Sequence, residues 1–166
     1  MERSDQILDY QKIIRIVKRL SFQIFEKNHN QSEIFLIGIH KNGYKLSKLI
    51  QQELQKISDK KIHLCCLKIN KKEPFKKIEF DTDLSKINNK AIVLIDDVLN
   101  SGKTLIYCTK FLLDVPISNF NTAVLIDRNH KKFPIKVDFK GISISTSIDE
   151  NINVIFETDN IYAFIN

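Results

Sequence analysis

Three short runs of apolar, largely β-branched residues recur along the chain, and each ends abruptly in polar residues. They are EIFLIGIH (Glu33–His40), AIVLIDD (Ala91–Asp97) and NTAVLIDR (Asn121–Arg128). Runs this short and this apolar predict strands that are buried on both faces of a sheet. Stretches with apolar residues at helical spacing separate them. The alternation predicts an α/β fold with a mostly parallel central sheet and helices on both faces.

The helical and remaining β-rich stretches complete this pattern. Helices are predicted from Asp9 to about Lys27, over KLSKLIQQELQKI (Lys45–Ile57) after a KNGY turn, and over KTLIYCTKFLLD (Lys103–Asp114). KIHLCCLKIN (Lys61–Asn70) reads as a further strand, and the tail from Lys136 holds several short β-rich runs. The polar, basic segment KKEPFKKIEFDTDLSKINNK (Lys71–Lys90) predicts a mobile loop or an excursion hairpin, and Ile69–Asp83 is the candidate for the mobile part. One domain over residues 1–166 is expected from the length.

The charge and cysteine content narrow the class of protein. The net charge is +6, from 22 Lys and 4 Arg against 20 acidic residues. Such an excess attracts nucleic acids, anionic membranes or phosphorylated small molecules, although a solvated lysine surface is the simpler explanation. Cys65, Cys66 and Cys108 lack zinc-ligand spacing, and their odd number argues against a disulfide framework. Without a hydrophobic signal core or a run of ~18 apolar residues, a reduced, cytoplasmic protein is predicted.

Three polar loops follow the three most apolar strands. In a parallel sheet covered on both faces, ligands bind outside the carboxyl ends of the strands. This rule selects His40–Gly43, Asp96–Thr104 and Asp127–His130 as the candidate site.

The second of these loops ends like an ATP-binding P-loop, in Ser-Gly-Lys-Thr (residues 101–104). A P-loop needs a glycine five residues before the glycine of its Gly-Lys-Thr. Asp97 stands at that position, and its carboxylate would face the phosphates that the loop must hold. The sequence therefore argues against a P-loop nucleotidase.

A ribose 5-phosphate suits the same segment better. The strand delivers Asp96 and Asp97, and the start of the following helix offers free backbone N–H groups and a positive dipole end to a monoester phosphate. The carboxylates would accept hydrogen bonds from the 2- and 3-hydroxyls of the sugar. An ordinary strand–turn–helix with a capped helix is the alternative interpretation.

VLIDDVLNSGKTL (Val93–Leu105) resembles the phosphoribosyl-pyrophosphate signature of the type I phosphoribosyltransferases. Further segments are similar to one subfamily, in which attenuation of the pyrimidine operon is combined with uracil phosphoribosyl transfer. They are ILDYQKIIRIVKRLSFQIFEKN, LIGIHKNGYKLSKLI, AVLIDRNHKKFPIKVDFKGISISTS and VIFETDNIYAF. The resemblance covers most of the chain. It implies the type I phosphoribosyltransferase fold, with a small β-rich hood from the mobile loop and the C-terminal tail, and a homodimer.

The resemblance also implies a role for each loop. Asp96 and Asp97 would bind the ribose hydroxyls and, through water, Mg2+; with Arg128 they are the candidate catalytic residues. Residues that would bind the 5-phosphate are Asn100, Ser101, Gly102, Lys103 and Thr104. Residues that would bind the pyrophosphate are His40, Lys41, Asn42 and Gly43. Asp127 and His130 would lie at the base pocket. In the mobile loop, Lys68, Lys71, Lys72 and Lys76 are the candidate phosphate contacts.

The chain departs from the family pattern at three of these places. Asn42 stands where family enzymes carry an Arg, and lysines replace the Arg of a longer mobile loop; Lys does not reproduce the bidentate fork of Arg. Asn129 replaces a Gly, but Asn adopts left-handed backbone more readily than most residues, so the turn is expected to survive.

Three functions remain open at this point. The first is an enzyme that uses 5-phosphoribosyl 1-pyrophosphate and Mg2+ to convert uracil to UMP with release of pyrophosphate. The second is a nucleotide-responsive regulator that binds the messenger RNA of pyrimidine genes. The third is a degenerate member that only binds nucleotide.

Overall fold

The computed structural model describes residues 5–157 and 160–166, so Thr158 and Asp159 of the last similar segment lie outside it. Its three helices are α1 (Tyr10–Lys27), α2 (Asn42–Ile57) and α3 (Lys103–Leu112), and a 3-10 turn covers Leu84–Ile87. The strands are β1 (Gln6–Leu8), β2 (Glu33–Ile39), β3 (Lys61–Lys68), β4 (Glu79–Phe80), β5 (Ala91–Leu99), β6 (Asn119–Asp127), β7 (Phe139–Ser143), β8 (Ile152–Phe156) and β9 (Ile161–Ile165).

The central sheet has the order β4-β3-β2-β5-β6-β7. All neighbouring pairs are parallel except β3 with β4. The most apolar runs form the three middle strands β2, β5 and β6, because only these positions are buried on both faces. The predicted α/β fold with a mostly parallel sheet is confirmed.

The helices cover both faces of this sheet. On one face, α1 and α2 bury apolar stripes that include Leu20 and Ile50. On the other face, α3 buries Leu105, Cys108 and Leu112. All three cysteines are buried free thiols, as the sequence predicts. None of the helices in the described part of the chain has the length and hydrophobicity that a membrane crossing requires.

A second, three-stranded sheet with the order β1-β9-β8 is antiparallel and is here called the hood. The C-terminal tail contributes β8 and β9, as expected, but the loop Ile69–Asp83 does not join it. Its strand β4 pairs instead with the end of β3, through Leu67↔Phe80 and Lys68↔Glu79, which keeps the loop at the edge of the central sheet. The third hood strand is β1, which is too short for its periodicity to show in the sequence.

Two element boundaries differ from the sequence prediction. KNGY is not a turn, because α2 begins at Asn42 and its first turn is closed by a hydrogen bond from Lys45 N to Lys41 O (3.2 Å). Strand β5 continues beyond Asp97 to Leu99, since Val98 and Leu99 still pair with β6. Both shifts bring site residues into regular elements rather than loops.

Glu33 connects the amino ends of three neighbouring strands. Its Oε2 lies 2.8 Å from His63 Nε2 of β3, and its Oε1 lies 2.6 Å from Nζ of Lys90, which directly precedes β5. Hydrogen bonds from Lys90 and His63 lower the pKa of Glu33 below its ordinary value. A carboxyl with a lowered folded-state pKa stabilises the fold above its unfolded pKa, and this contribution is lost as pH falls through the folded pKa.

We therefore expect Glu33→Gln to lower the melting temperature at pH 7 by about 2–5 °C, because two hydrogen bonds to a charged group are weakened. The difference from the wild type should shrink when melts are repeated as pH falls through the lowered pKa of Glu33, because Glu33 of the wild type then becomes protonated as well. A difference that stays constant from pH 7 to pH 3 would contradict this role. Glu53→Gln, at an exposed pair on α2, is the matched control.

Candidate functional site

The three loops selected from the sequence lie at one edge of the central sheet. They include or directly follow the carboxyl ends of β2, β5 and β6, and these strands are adjacent and parallel, so the three ends point the same way. The structure therefore brings His40–Gly43, Asp96–Thr104 and Asp127–His130 together.

The acid pair is buried near the end of β5, with 5% of Asp96 and 8% of Asp97 exposed. Adjacent side chains of a strand point to opposite faces, and these two meet different partners. Asp96 Oδ2 lies 3.5 Å from Lys71 Nζ, while its Oδ1 accepts from the backbone N of Asp97 (3.0 Å). Asp97 Oδ2 accepts from Asn42 Nδ2 at 2.8 Å. The carboxylate of Asp96 thus lies on the α3 side of the sheet, and that of Asp97 lies on the α2 side.

The electrostatics of this pair favour positive or hydrogen-donating ligands. Burial, and then the negative charge of Asp97, raise the pKa of Asp96 well above the usual range of a carboxyl, while Lys71 acts in the opposite direction. Two carboxylates in a buried site repel each other unless a cation or several donors approach them. A sugar with two hydroxyls and an associated cation meets this requirement.

The donor set also fits Mg2+. This ion prefers oxygen ligands and is usually held by one or two carboxylates, several waters and substrate phosphates. Within residues 5–157 and 160–166, no group of three or more His, Cys, Asp or Glu side chains is placed to hold a metal. Asp96 and Asp97 are the carboxylates that could contribute oxygen ligands to such an ion.

The start of α3 forms a small cavity beside Asp96. Asn100–Gly102 form the loop, and Lys103 and Thr104 open the helix. The cavity, of about 60 Å³, is lined by Lys71, Asp96 and Val98–Leu105. Backbone N–H groups and the positive dipole end make such a helix start a site for an anion. Gly102 at the N-cap has φ +83°, and a Cβ there would lie 2.5 Å from Cγ2 of Ile135.

The loop after β2 is basic, and its Gly43 packs directly against the backbone of Asp96. The backbone N of His40 donates to Leu67 O (2.9 Å), and the His40–Lys41 peptide bond is cis. Desolvation, and the charges of Lys68 and Lys41, lower the pKa of His40. A Cβ on Gly43 would lie 2.5 Å from Ile95 O, so only glycine lets α2 begin this close to β5.

The segment after β6 is shaped by Asp127, of which 1% is exposed. Its Oδ2 accepts from Lys131 (3.1 Å) and Lys140 (3.2 Å), and its Oδ1 from the backbone N of Asn129 (3.0 Å). Burial acts to raise the pKa of Asp127, but these bonds outweigh it and hold that pKa below its ordinary value. Asn129 has φ +62°, so the expected left-handed turn is confirmed.

Arg128 and His130 lie on the far side of the α3 loop from Asp96. Arg128 Nε donates to Thr146 Oγ1 (2.6 Å), and His130 Nε2 lies 2.6 Å from Thr146 O. Ser101 O accepts from the backbone N of Lys132 (2.8 Å), which joins this segment to the phosphate loop. A cavity of about 540 Å³ results, lined by Asn100, Ser101, Arg128, Asn129, His130, Lys131, Lys132 and Ile148.

The basic residues of the loop Ile69–Asp83 differ in their relation to the site. Lys71 reaches Asp96, as described. Lys68, at the end of β3, is close enough for its charge to affect His40. Lys72 is exposed, with its backbone N bonded to Asn70 Oδ1, and Lys76 pairs with Glu73 (2.8 Å) away from the acid pair.

Several contacts of the site residues were not predicted from the sequence. Thr146 and Ser147 hold Arg128, and the carbonyl of Val154 accepts from Asn42 (2.9 Å). Two of these three acceptors are backbone carbonyls, which any residue type supplies. No sequence pattern marks such positions.

The strand β5, its buried acid pair and a helix start suited to an anion occur together in a chain that matches a known protein family. A model of the family described as "Phosphoribosyl transferase domain" matches residues 3–159. Two solved structures share the fold. A hypoxanthine-guanine phosphoribosyltransferase from Bacillus anthracis has a TM-score of 0.79 at 17% identity, and 100% of each chain is covered. The hypoxanthine phosphoribosyltransferase of Trypanosoma cruzi has a TM-score of 0.79 at 15% identity, covering 97% of this chain and 96% of that one.

Relatives found by sequence identify more narrowly the group of proteins to which the chain belongs. "Bifunctional protein PyrR" of Caldicellulosiruptor bescii is 35% identical, with 96% of this chain and 94% of the relative covered. A protein of the same name from Streptococcus agalactiae is 35% identical, with 90% and 88% covered. The chain therefore belongs to the phosphoribosyltransferase family, and within it to the group of bifunctional PyrR proteins. The resemblance noted in the sequence is confirmed, and the reaction class is pentosyl transfer.

Proposed function

We propose that the protein transfers ribose 5-phosphate from 5-phosphoribosyl 1-pyrophosphate to uracil, with formation of UMP and release of pyrophosphate. One observation carries the proposal. Asp96 and the start of α3 line a common cavity, so a carboxylate for sugar hydroxyls and a cradle for a phosphate belong to one site. Uracil is the base that the resemblance to the pyrimidine subfamily implies.

The α3 loop and the acid pair orient the sugar. Backbone N–H groups of Asn100–Thr104 donate to the 5-phosphate, and Ser101 and Thr104 add hydroxyl donors. Asp96 and Asp97 accept hydrogen bonds from the ribose hydroxyls. Asp97 is the candidate for the carboxylate nearest the reacting ring, where it would stabilise an oxocarbenium-like transition state.

The basic loops neutralise the leaving group while the base is held on the opposite side. Lys41 presents its charge, His40 its imidazole and Gly43 its backbone N–H to the pyrophosphate, on which negative charge builds as the bond to the anomeric carbon breaks. Arg128, His130 and the hood are proposed to hold the base. Asp96 and Asp97 would hold Mg2+, through water, and the ion would supply compensation for the charge that develops on the leaving group. The loop Ile69–Asp83 is proposed to exclude water, which prevents hydrolysis of the activated sugar.

A direct assay tests this function. The protein is mixed with Mg2+, 5-phosphoribosyl 1-pyrophosphate and each free base in turn, and nucleotide formation is followed by chromatography. UMP formation with uracil, and its loss when Mg2+ is chelated, is the expected result. Tight nucleotide binding without product from any base would overturn the enzyme in favour of a binding protein.

A second function, regulation through RNA, is favoured by one surface feature. Lys132 and Lys136 follow Arg128 in one short segment and are exposed, beside Lys131 and Lys140, whose ammonium groups pair with Asp127. In a protein with a net charge of +6, this segment is a candidate contact for RNA phosphates. The alternative interpretation is that these lysines are scattered, solvated surface residues that do not recognise RNA.

Filter binding against salt separates these two interpretations. Messenger RNA from a pyrimidine operon should bind more tightly than random RNA of equal length. The logarithm of the binding constant should fall linearly with the logarithm of salt concentration. Equal, weak binding of both RNAs would show that the charge is only a solvated surface.

We further propose that residues 1–166 act as one phosphoribosyltransferase domain, assembled as a homodimer in the cytoplasm. The buried, free thiols of Cys65, Cys66 and Cys108 support a reducing compartment. Sedimentation velocity tests the dimer.

A further inference from the structure

The amide of Asn42 bridges two elements that are far apart in the sequence. Its Nδ2 donates to Asp97 Oδ2 (2.8 Å) in β5 and to the backbone carbonyl of Val154 (2.9 Å) in β8. A carboxamide nitrogen carries two hydrogens, so these two acceptors use its whole donor capacity. Asp97 is buried, and so is Val154.

Two side-chain hydrogen bonds join α2 to the outer edge of the hood within the described residues, and this bridge provides one of them. Strand β8 pairs only with β9 in the order β1-β9-β8, so one side of its backbone is unpaired within that sheet. Val154 and Phe156 are two residues apart, and their carbonyls therefore face the same edge. Asn42 donates to the first, and Lys45 Nζ donates to the second at 3.0 Å. The bond from Asn42 is partly buried and the bond from Lys45 is exposed, so Asn42 makes the stronger connection between the hood and the central sheet.

The bridge leaves the side chain of Asn42 without a donor for any further ligand. Its remaining polar atom is the amide oxygen, which only accepts hydrogen bonds and is repelled by an anion. Pyrophosphate would have to break one of the two bonds to gain a contact with this side chain. The geometry is that of a fixed connection between a ribose-binding acid and the hood.

We propose that Asn42 is a positioning residue that sets the hood, and with it the base, relative to Asp97 and the ribose. This inference rests on the proposed function and deepens it. The pyrophosphate role implied for Asn42 by its place in the loop then falls to its neighbours, Lys41 and the backbone N–H groups. Misplacement of a reacting partner by about 1 Å can slow an enzyme by about 10²-fold, so such a connection matters for transfer.

UMP distinguishes the two roles because it contains base, ribose and 5-phosphate but no pyrophosphate. Calorimetric titration with UMP should show about tenfold weaker binding to Asn42→Ala than to the wild type. Asn42→Asp, which keeps the size but sets a carboxylate against Asp97 and the Val154 carbonyl, should weaken it at least as much. If UMP affinity is unchanged in both variants while the KM for pyrophosphate in the reverse reaction rises, Asn42 is a pyrophosphate ligand and the inference is wrong.

Lys45→Met is the matched control, since it removes the other bond to β8 without touching the acid pair. Its UMP affinity should stay within about twofold of the wild type, because an exposed contact of this kind contributes little. An equal loss in Lys45→Met and Asn42→Ala would mean that only hood attachment matters, which overturns the role through Asp97.

Hydrogen exchange tests the bridge without any ligand. Amides of Ile152–Phe156 should exchange faster in Asn42→Ala than in the wild type, and those of β2 should not change. Unchanged exchange in β8 would overturn the bridge whether or not the protein makes UMP. Absence of nucleotide formation by the wild type would instead count against the proposed function alone.

Discussion

Asp97→Asn should lower kcat/KM for UMP formation by about 10³-fold. The substitution keeps the size of the side chain, and the new amide oxygen still accepts from Asn42, so the bridge to Val154 is retained. Only the charge is removed. A buried carboxylate beside a developing oxocarbenium ion stabilises the transition state far more than the ground state, and the loss should therefore appear mainly in kcat.

The stability of the same variant should move in the opposite direction. Asp97 contributes to the raised pKa of Asp96, so removing its charge relieves repulsion between two buried carboxylates. The melting temperature of Asp97→Asn should equal or exceed that of the wild type. A functional site that costs stability is expected to show this pattern.

Asp138→Asn is the control for the loss of an acid from this sheet. Asp138 Oδ2 accepts from the backbone N of Thr122 (2.8 Å), near the amino end of β6 and away from the acid pair. Its kcat/KM should remain close to that of the wild type. Activity of Asp97→Asn within tenfold of the wild type would remove Asp97 from the chemistry.

The opposite faces of β5 separate two tasks within one acid pair. Asp96 shares its cavity with the α3 loop and Lys71, and Asp97 is connected through Asn42 to the hood. A sugar that contacts both carboxylates therefore links the phosphate end of the site to the base end. Under the proposed function, this arrangement gives each of the two adjacent acids near the end of β5 a task of its own.

The central sheet was predictable because strong periodic signals carry it. Short apolar runs such as Ala91–Asp97 occupy strand positions that are buried on both faces of the sheet. A run this apolar would expose too much hydrophobic surface at an edge of the sheet. The acid pair and the α3 loop were predictable for a related reason, since their order along the chain is local. The hood strand Gln6–Leu8 was not, because three residues carry no measurable period.

Long-range contacts account for the remaining differences. Asn42 and Gly43 have low helix propensity, which favoured a turn, yet packing of Gly43 against Ile95 brings both into α2. The bridge from Asn42 reaches a backbone carbonyl 112 residues away. A carbonyl is common to all residue types, so only the folded chain reveals that Val154 supplies it.

Gly102→Ala should weaken UMP binding by about 10²-fold and lower the melting temperature by about 5–10 °C. The backbone of Gly102 has φ +83°, which costs a residue with a side chain about 1–2 kcal/mol. The added Cβ would also lie 2.5 Å from Cγ2 of Ile135, so the loop has to move. Movement tilts the N–H groups at the start of α3 away from the 5-phosphate, and binding is lost together with stability. Calorimetric titration and thermal melts measure the two effects.

The double variant Gly102→Ala/Ile135→Ala separates backbone strain from lack of space. If the clash with Ile135 dominates, the second substitution should restore part of the UMP affinity, despite the stability that Ile135→Ala costs by itself. If the positive φ dominates, affinity should stay low in the double variant, because no change at Ile135 alters the backbone conformation of residue 102. Ribose 5-phosphate, which lacks the base, should show the same order of affinities as UMP, since the affected group is the phosphate. Wild-type binding of both ligands by Gly102→Ala would place the phosphate elsewhere than at the start of α3.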